Sequence, residues 1–555
     1  MPVPVRRPHV LLEVDLTVLP VEVEPDDLPT KLRSRHRPRL RALVRTLHEA
    51  GSDDRVHGVL VKVGGATLPW AIMQELRSAL QTFAASGKPT VAWAETLGEG
   101  NGTVDYVLAT GCPEIWLQPA GEVSLLGIAA ETTFLRGALD KLGVEPQLHK
   151  RHEYKSAADR IMNTEFTVEH REAIDRVVES TWDVAVAAIA TARTLDETRV
   201  RELADTAPLA ADEAKSAGLV DRLGYRDEVY ADVRKRAAER ANGEDVELLF
   251  ADRWTPRRKP VDLLRRRREV VALVEGHGEI GGGRSGSGPR GHRMGSDTVA
   301  AALRAARQDE QVRAVLFRVD SPGGSAVASD TIWREVALTR EAGKPVVVSM
   351  GSLAGSGGYY VACPADVIVA QPSTITGSIG VLGGKIVVSD LLARVGLTTG
   401  TVSRGSSARM YSMRDGFTDA ERERLSAMLD RVYDDFVQKV ATGRSMSPEA
   451  VDEVARGRIW SGADASTNGL VDTLGGLRDS AAIARERAGL RPDARVRAAV
   501  HVSPLARMRR PVSSEDPRAA SMSSGWSDWG ALGRLAAALD LPAAGPLAMP
   551  TLRLR

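Results

Sequence analysis

RVHGVLVKV, residues 55–63, returns as QVRAVLFRV at 311–319, an offset of 256 residues. GKPTVAW (87–93) and GKPVVVS (343–349) keep that offset. LQPAGEVSLLGI (117–128) meets AQPSTITGSIGV (370–381) at 253, and GLVDRLG (218–224) meets GLVDTLG (469–475) at 251. An offset that drifts slowly records small loop deletions within a shared fold, so the chain contains one domain twice.

Working outward, β-branched runs such as VLVKV and VLFRV alternate with helical stretches such as AIMQELRSALQTF (71–83) and SDTIWREVALTREA (329–342). That alternation predicts parallel strands joined by crossover helices, an α/β class. The expected division is a first repeat over 1–252, a basic linker over 253–269, a second repeat over 270–495, and a tail over 496–555. The linker, RWTPRRKPVDLLRRRRE, reads as a solvated segment, with contact to anionic lipid as its functional alternative. The Pro/Ser-rich tail offers Trp529, Leu532, Ala536 and Leu539 at helical spacing, which predicts a short helix docking on the protein's own body or a sister subunit.

Composition narrows the function classes. With 555 residues, 43% hydrophobic, the chain exceeds the size at which single cores split. Lys plus Arg number 74 against 73 Asp plus Glu, so no bulk field draws the protein onto nucleic acid. Cys112 and Cys363 are the two cysteines, too few for a disulfide scaffold and consistent with a reducing compartment. The opening MPVPVRRPHVLLEVDLTVLP has a short apolar run broken by Glu13 and Asp15, and reads as neither a signal peptide nor a membrane span. The expected location is the cytoplasm, with peripheral contact at the inner membrane face as an option.

Two patterns are decoys. GHGEIG (276–281) satisfies the GxGxxG spacing, but Gly and Ser continue to 296 before a helix starts at Asp297. A dinucleotide site needs the helix at once, so a mobile loop is expected instead. His149 and His152 stand near Glu153 without HExxH spacing or a third ligand, and read as surface residues; neither a metal nor a cofactor is expected.

Differences between the repeats carry the chemistry. MGSLAGSGGYYVACPAD (350–366) faces AETLGEGNGTVDYVLATG (94–111), which has no serine, so Ser356 is without a counterpart. Conversely RHEYKSAAD (151–159) aligns with RGSSARMYS (404–412), which sets Ala408 opposite Lys155. A serine between glycines, after the buried strand PVVVSM and opening the helix GGYYVA, is placed for nucleophilic attack, with helix N-terminal amides to receive an oxyanion. Upstream, DSPGGS (320–325) follows a strand and supplies consecutive glycine amides.

SPGGS, the AGSGGYY block, TITGSIGV (374–381) and EYKSAAD, in the order and spacing the family shows, resemble the signal peptide peptidase A family in its long, two-repeat form (protease IV type). The resemblance extends more distantly to the Clp protease proteolytic subunit and the crotonases. It implies a tandem Clp protease/crotonase-like (ββα-spiral) fold, a serine endopeptidase acting on hydrophobic peptides such as residual signal peptides, and homo-oligomers. It implies Ser356 as nucleophile, Lys155 as general base, Ser378 beside the lysine amine, and Gly357, Gly323 and Gly324 as oxyanion donors. A Ser–Lys dyad needs its amine neutral, and free lysine titrates near ~10.4, so burial must supply about three units of depression. Long relatives commonly carry a membrane anchor; none is visible here. The competing readings are a tandem crotonase-type acyl-CoA enzyme, which leaves the separate placement of Ser356 and Lys155 unexplained, and a silent peptide-binding scaffold, which predicts affinity without turnover.

Overall fold

A computed structural model describes residues 9–23, 34, 37–65, 68–256, 269–288, 291–499 and 547–549. Most of the basic linker and the expected helix at Trp529–Leu539 lie outside the described residues. Two compact units emerge. Among the described residues, one gathers those up to 129 with 181–256; the other gathers 130–180 with those from 269 to 549. The segment 130–180, which sequence similarity groups with the first repeat, therefore packs inside the unit of the second. Among the described residues no helix is long and apolar enough to cross a membrane.

The first unit is built on a six-stranded sheet. Its central strands His9–Asp15, Val56–Lys62, Thr90–Ala94 and Glu114–Leu117 pair in parallel in that order. Val246–Phe250 closes one edge and Arg222–Leu223 the other. The inner strands Val56–Lys62 and Thr90–Ala94 are buried along almost their whole length, as expected of parallel strands covered on both faces. The expected helix at 71–83 is Trp70–Ala84.

The second unit repeats the plan. Val270–His277, Val312–Ser321 and Val346–Gly355 pair in parallel, and Val367–Ala370 and Ile375–Gly377 both pair with successive stretches of Val346–Gly355. Helix Ala326–Glu341 is the crossover. It begins at Ser325, whose Oγ accepts from the Ala328 N–H, an N-cap of the ordinary kind. Val315, Phe317, Val348, Tyr359, Ile368 and Leu429 lie in one buried cluster beneath it.

The stretch expected to be a mobile loop is instead ordered strand. Glu279–Gly281 pairs with Gly291–Gly295 on one side and with Gly323–Gly324 on the other, and Gly286–Gly288 folds back on Gly291–Gly295. Backbone pairing asks nothing of side chains, so glycine-rich strands carry no hydrophobic alternation to read. The next helix is Ser296–Gln308, one residue earlier than expected.

Candidate active site

The strand Val346–Gly355, which leads into Ser356, and the TITGSIGV block are neighbours. Their parallel register aligns Leu353 with Ile375, Ala354 with Thr376 and Gly355 with Gly377. One residue further along each strand stand Ser356 and Ser378, so matched register alone sets the two serines side by side. Both are fully buried and both hold positive φ, 55° and 51°. The Ser356 N–H donates to Gly377 O at 2.8 Å, and the Ser378 N–H to Arg458 O at 2.7 Å.

Lys155 arrives from the segment 130–180. Strand Glu145–Lys150 pairs antiparallel with Leu382–Val387, and the Arg151 N–H donates to Val381 O at 3.0 Å. The chain then turns at His152, with φ of 65°. Arg456 grips the turn from the other side, its Nε and Nη2 donating to the two carboxylate oxygens of Glu153 at 2.8 and 2.9 Å. His149 and His152 are half-buried and pack against Phe417 and Tyr433.

Lys155 Nζ lies 2.8 Å from Ser356 Oγ, 3.0 Å from Ser378 Oγ and 3.0 Å from Ser378 O. The side chain is completely enclosed, and burial pulls its pKa down to about 7. Desolvation penalises the ammonium form, and with neutral hydroxyl and carbonyl oxygens as its hydrogen-bond partners no carboxylate at the amine restores it. The lysine is thereby poised to exist as a free base near neutral pH.

The glycine amides divide their work. The Gly323 N–H donates to Ser321 Oγ at 3.1 Å, which tightens the turn after Val312–Ser321. A Cβ on Gly357 would lie 3.2 Å from the Gly324 nitrogen, so these two backbones meet directly beside Ser356. Gly323 and Gly324 have φ of 96° and 151°, conformations that a side chain resists. Helix Gly357–Ala362 is anchored by its tyrosines: Tyr359 Oη donates to Leu470 O at 2.9 Å and Tyr360 Oη to Asp435 Oδ2 at 2.6 Å.

Three contributors escape sequence reading. Asp320 accepts from the Leu353 N–H at 2.9 Å and fills the register shift between Val312–Ser321 and Val346–Gly355; its place in DSPGGS is the one available signal. Arg456 is visible only once Glu153 is placed. Gly457, φ 87°, is the third: a Cβ there would come within 2.5 Å of Lys155 N and 2.6 Å of its Cα. Gly457→Ala is therefore expected to push the lysine backbone away, costing about 1–3 kcal/mol of stability and lowering kcat more than it raises KM. Steady-state kinetics with urea unfolding checks this; a folded Gly457→Ala protein with the parent kcat counts against it.

The sequence model of Peptidase family S49 matches residues 82–240 and 339–491, one segment on each repeat. The chain belongs to peptidase family S49. The two matched segments bear out the duplication. Protease 4 of Salmonella typhi is 33% identical over 465 residues, 81% of this chain and 72% of that protein. Protease 4 of Haemophilus influenzae is 30% identical over 491 residues, covering 85% and 77%. The chloroplastic serine protease SPPA of Arabidopsis thaliana is 30% identical over 445 residues, 80% of this S49 chain and 64% of the plant protein. The chain thus spans a little under two thirds of that relative's length. All three relatives are named as proteases, in line with the peptidase reading of the sequence.

Proposed function

We propose that this S49 chain is a serine endopeptidase that uses a Ser356–Lys155 dyad to hydrolyse hydrophobic peptides, residual signal peptides among them. The observation that carries the reading is the 2.8 Å approach of a fully buried lysine amine to a fully buried serine hydroxyl. In the resting site neutral Lys155 Nζ accepts the Ser356 proton, while the hydroxyl and carbonyl of Ser378 hold the amine in place. Ser356 Oγ then attacks the peptide carbonyl. The developing oxyanion falls to the amides of Gly357 and Gly324, Gly323 serving the turn through Ser321. Lys155 returns its proton to the leaving amine, and a water molecule deprotonated by the same amine releases the acyl group. Leu353, Ile375 and Ile459 belong to an apolar cluster running past Gly355, which favours apolar substrate side chains.

The proposal includes self-assembly, which the family resemblance implies. It also includes a cytoplasmic location, for which the free, buried thiols of Cys112 and Cys363 are the supporting observation.

The test is the rate at which a fluorophosphonate modifies the protein, with the adduct located by peptide mass spectrometry. Below pH 7 Lys155 binds a proton and cannot accept another, so labelling is expected to rise with pH through a single-proton transition centred near 7. The adduct should sit on Ser356. An adduct elsewhere, or a rate flat between pH 5 and 9, would defeat the assignment.

A further inference from the structure

The strand Gly323–Gly324 has a second partner. On the side away from Glu279–Gly281 it pairs antiparallel with Leu547–Ala548, from the far C-terminal part of the chain: Gly324 faces Leu547 and Gly323 faces Ala548. The Met549 N–H donates to Pro322 O at 2.9 Å. Bonded and non-bonded pairs alternate along an antiparallel ladder. With Met549 bonded to Pro322, the next bonded pair is Gly324 with Leu547, so the Gly324 amide faces a carbonyl of the tail. Met549 is buried and joins the apolar cluster of Ile375, Ile459, Ile174 and Val177. A side chain on Gly355, the residue before Ser356, would collide with its thioether.

From these contacts we infer that residues 547–549 are a tethered occupant of the peptide-binding groove and compete with substrate for it. Without the tail, Gly323–Gly324 is an open sheet edge next to the nucleophile, the kind of edge to which an extended peptide adds as a strand. The tail takes that edge, fills the apolar cluster with one unbranched side chain, and sets a carbonyl against the amide assigned to the oxyanion. A tethered ligand acts at an effective concentration of around the millimolar range, so even a weakly binding tail holds off dilute peptides. The inference rests on the peptidase reading only in calling the groove the substrate's.

The test uses full-length protein carrying Ser356→Ala, so that nothing is cut. A fluorescein-labelled peptide of residues 543–552 is titrated into this protein and into the same protein carrying Met549→Asp, which sets a charge against the apolar cluster and dislodges the tail. Fluorescence anisotropy is expected to show the probe binding the Met549→Asp protein at least roughly tenfold more tightly. Equal dissociation constants, or no binding to either protein at millimolar probe, would overturn the inference. If instead Ser356 fails to label with fluorophosphonate in the protein carrying Met549→Asp alone, where the tail is dislodged, the peptidase reading falls while the anisotropy comparison still reports on the tail.

Discussion

Lys155→Met is expected to reduce peptide hydrolysis by at least roughly 10²–10⁴-fold, the usual worth of a positioned base, and to make the protein harder to unfold near neutral pH. The first effect follows from removing the amine that lies 2.8 Å from Ser356 Oγ and can take its proton. The second follows from burial. In the unfolded chain the lysine titrates at 10.5, and in the folded one at about 7. Between those values the unfolded chain binds more protons, so folding must discharge the amine, and stability rises with pH across the window. At pH 8 that discharge costs about 3 kcal/mol, taking 1.36 kcal/mol per unit. Methionine has a similar length and nothing to discharge. Its gain is partly offset because Ser356 and Ser378 lose a hydrogen-bond partner, at about 1 kcal/mol each. Urea midpoints of both proteins at pH 7, 8.5 and 10 check the sign: the advantage of methionine should shrink as pH rises. A variant less stable than its parent at all three would mean that the folded protein keeps the amine charged.

How far the sequence could foretell this site depends on which interaction places each group. Ser356 and Lys155 were legible because each lacks an equivalent in the other repeat, and a duplicated scaffold makes such gaps visible. Ser378 followed from the family resemblance; the structure supplies its physical reason, the Gly355–Gly377 register. Long-range packing hid the rest. Nothing in residues 130–180 announces that they belong with the second unit, because the pairing of Glu145–Lys150 with Leu382–Val387 is set by backbone hydrogen bonds between distant segments. Gly457 matters through the volume that it leaves to Lys155, which only coordinates reveal. The Gly/Ser run from 279 to 295 hides its strands for the same reason that it hides the docking of residues 547–549: both are main-chain pairings on which side-chain patterns are silent.

Ser356→Ala and Ser356→Gly should both abolish turnover, by about 10⁴-fold or more, yet differ in stability. Ser356 sits at φ 55°, ψ −115°, a region that costs a residue with a Cβ about 1–3 kcal/mol and is open to glycine. Three restraints hold it there. Its N–H is bonded to Gly377 O, its carbonyl accepts from the Tyr360 N–H at 2.9 Å, and the glycines on either side are hemmed in by Met549 and by Ser329 Oγ. Alanine keeps the strained Cβ and loses only the hydroxyl. Glycine also releases the strain, less the roughly 0.4–1 kcal/mol of extra freedom that it gains in the unfolded chain. The glycine variant should therefore unfold at higher urea than the alanine variant, by about 1–2 kcal/mol at equal m-value. Equal midpoints would show that the backbone at 356 is relaxed, and residual turnover in either protein would show that the reacting oxygen belongs to another residue. Strain at this position has a purpose only if it holds Oγ toward Lys155, so lost activity together with gained stability in Ser356→Gly is the pairing that a strained nucleophile demands and an ordinary turn serine does not.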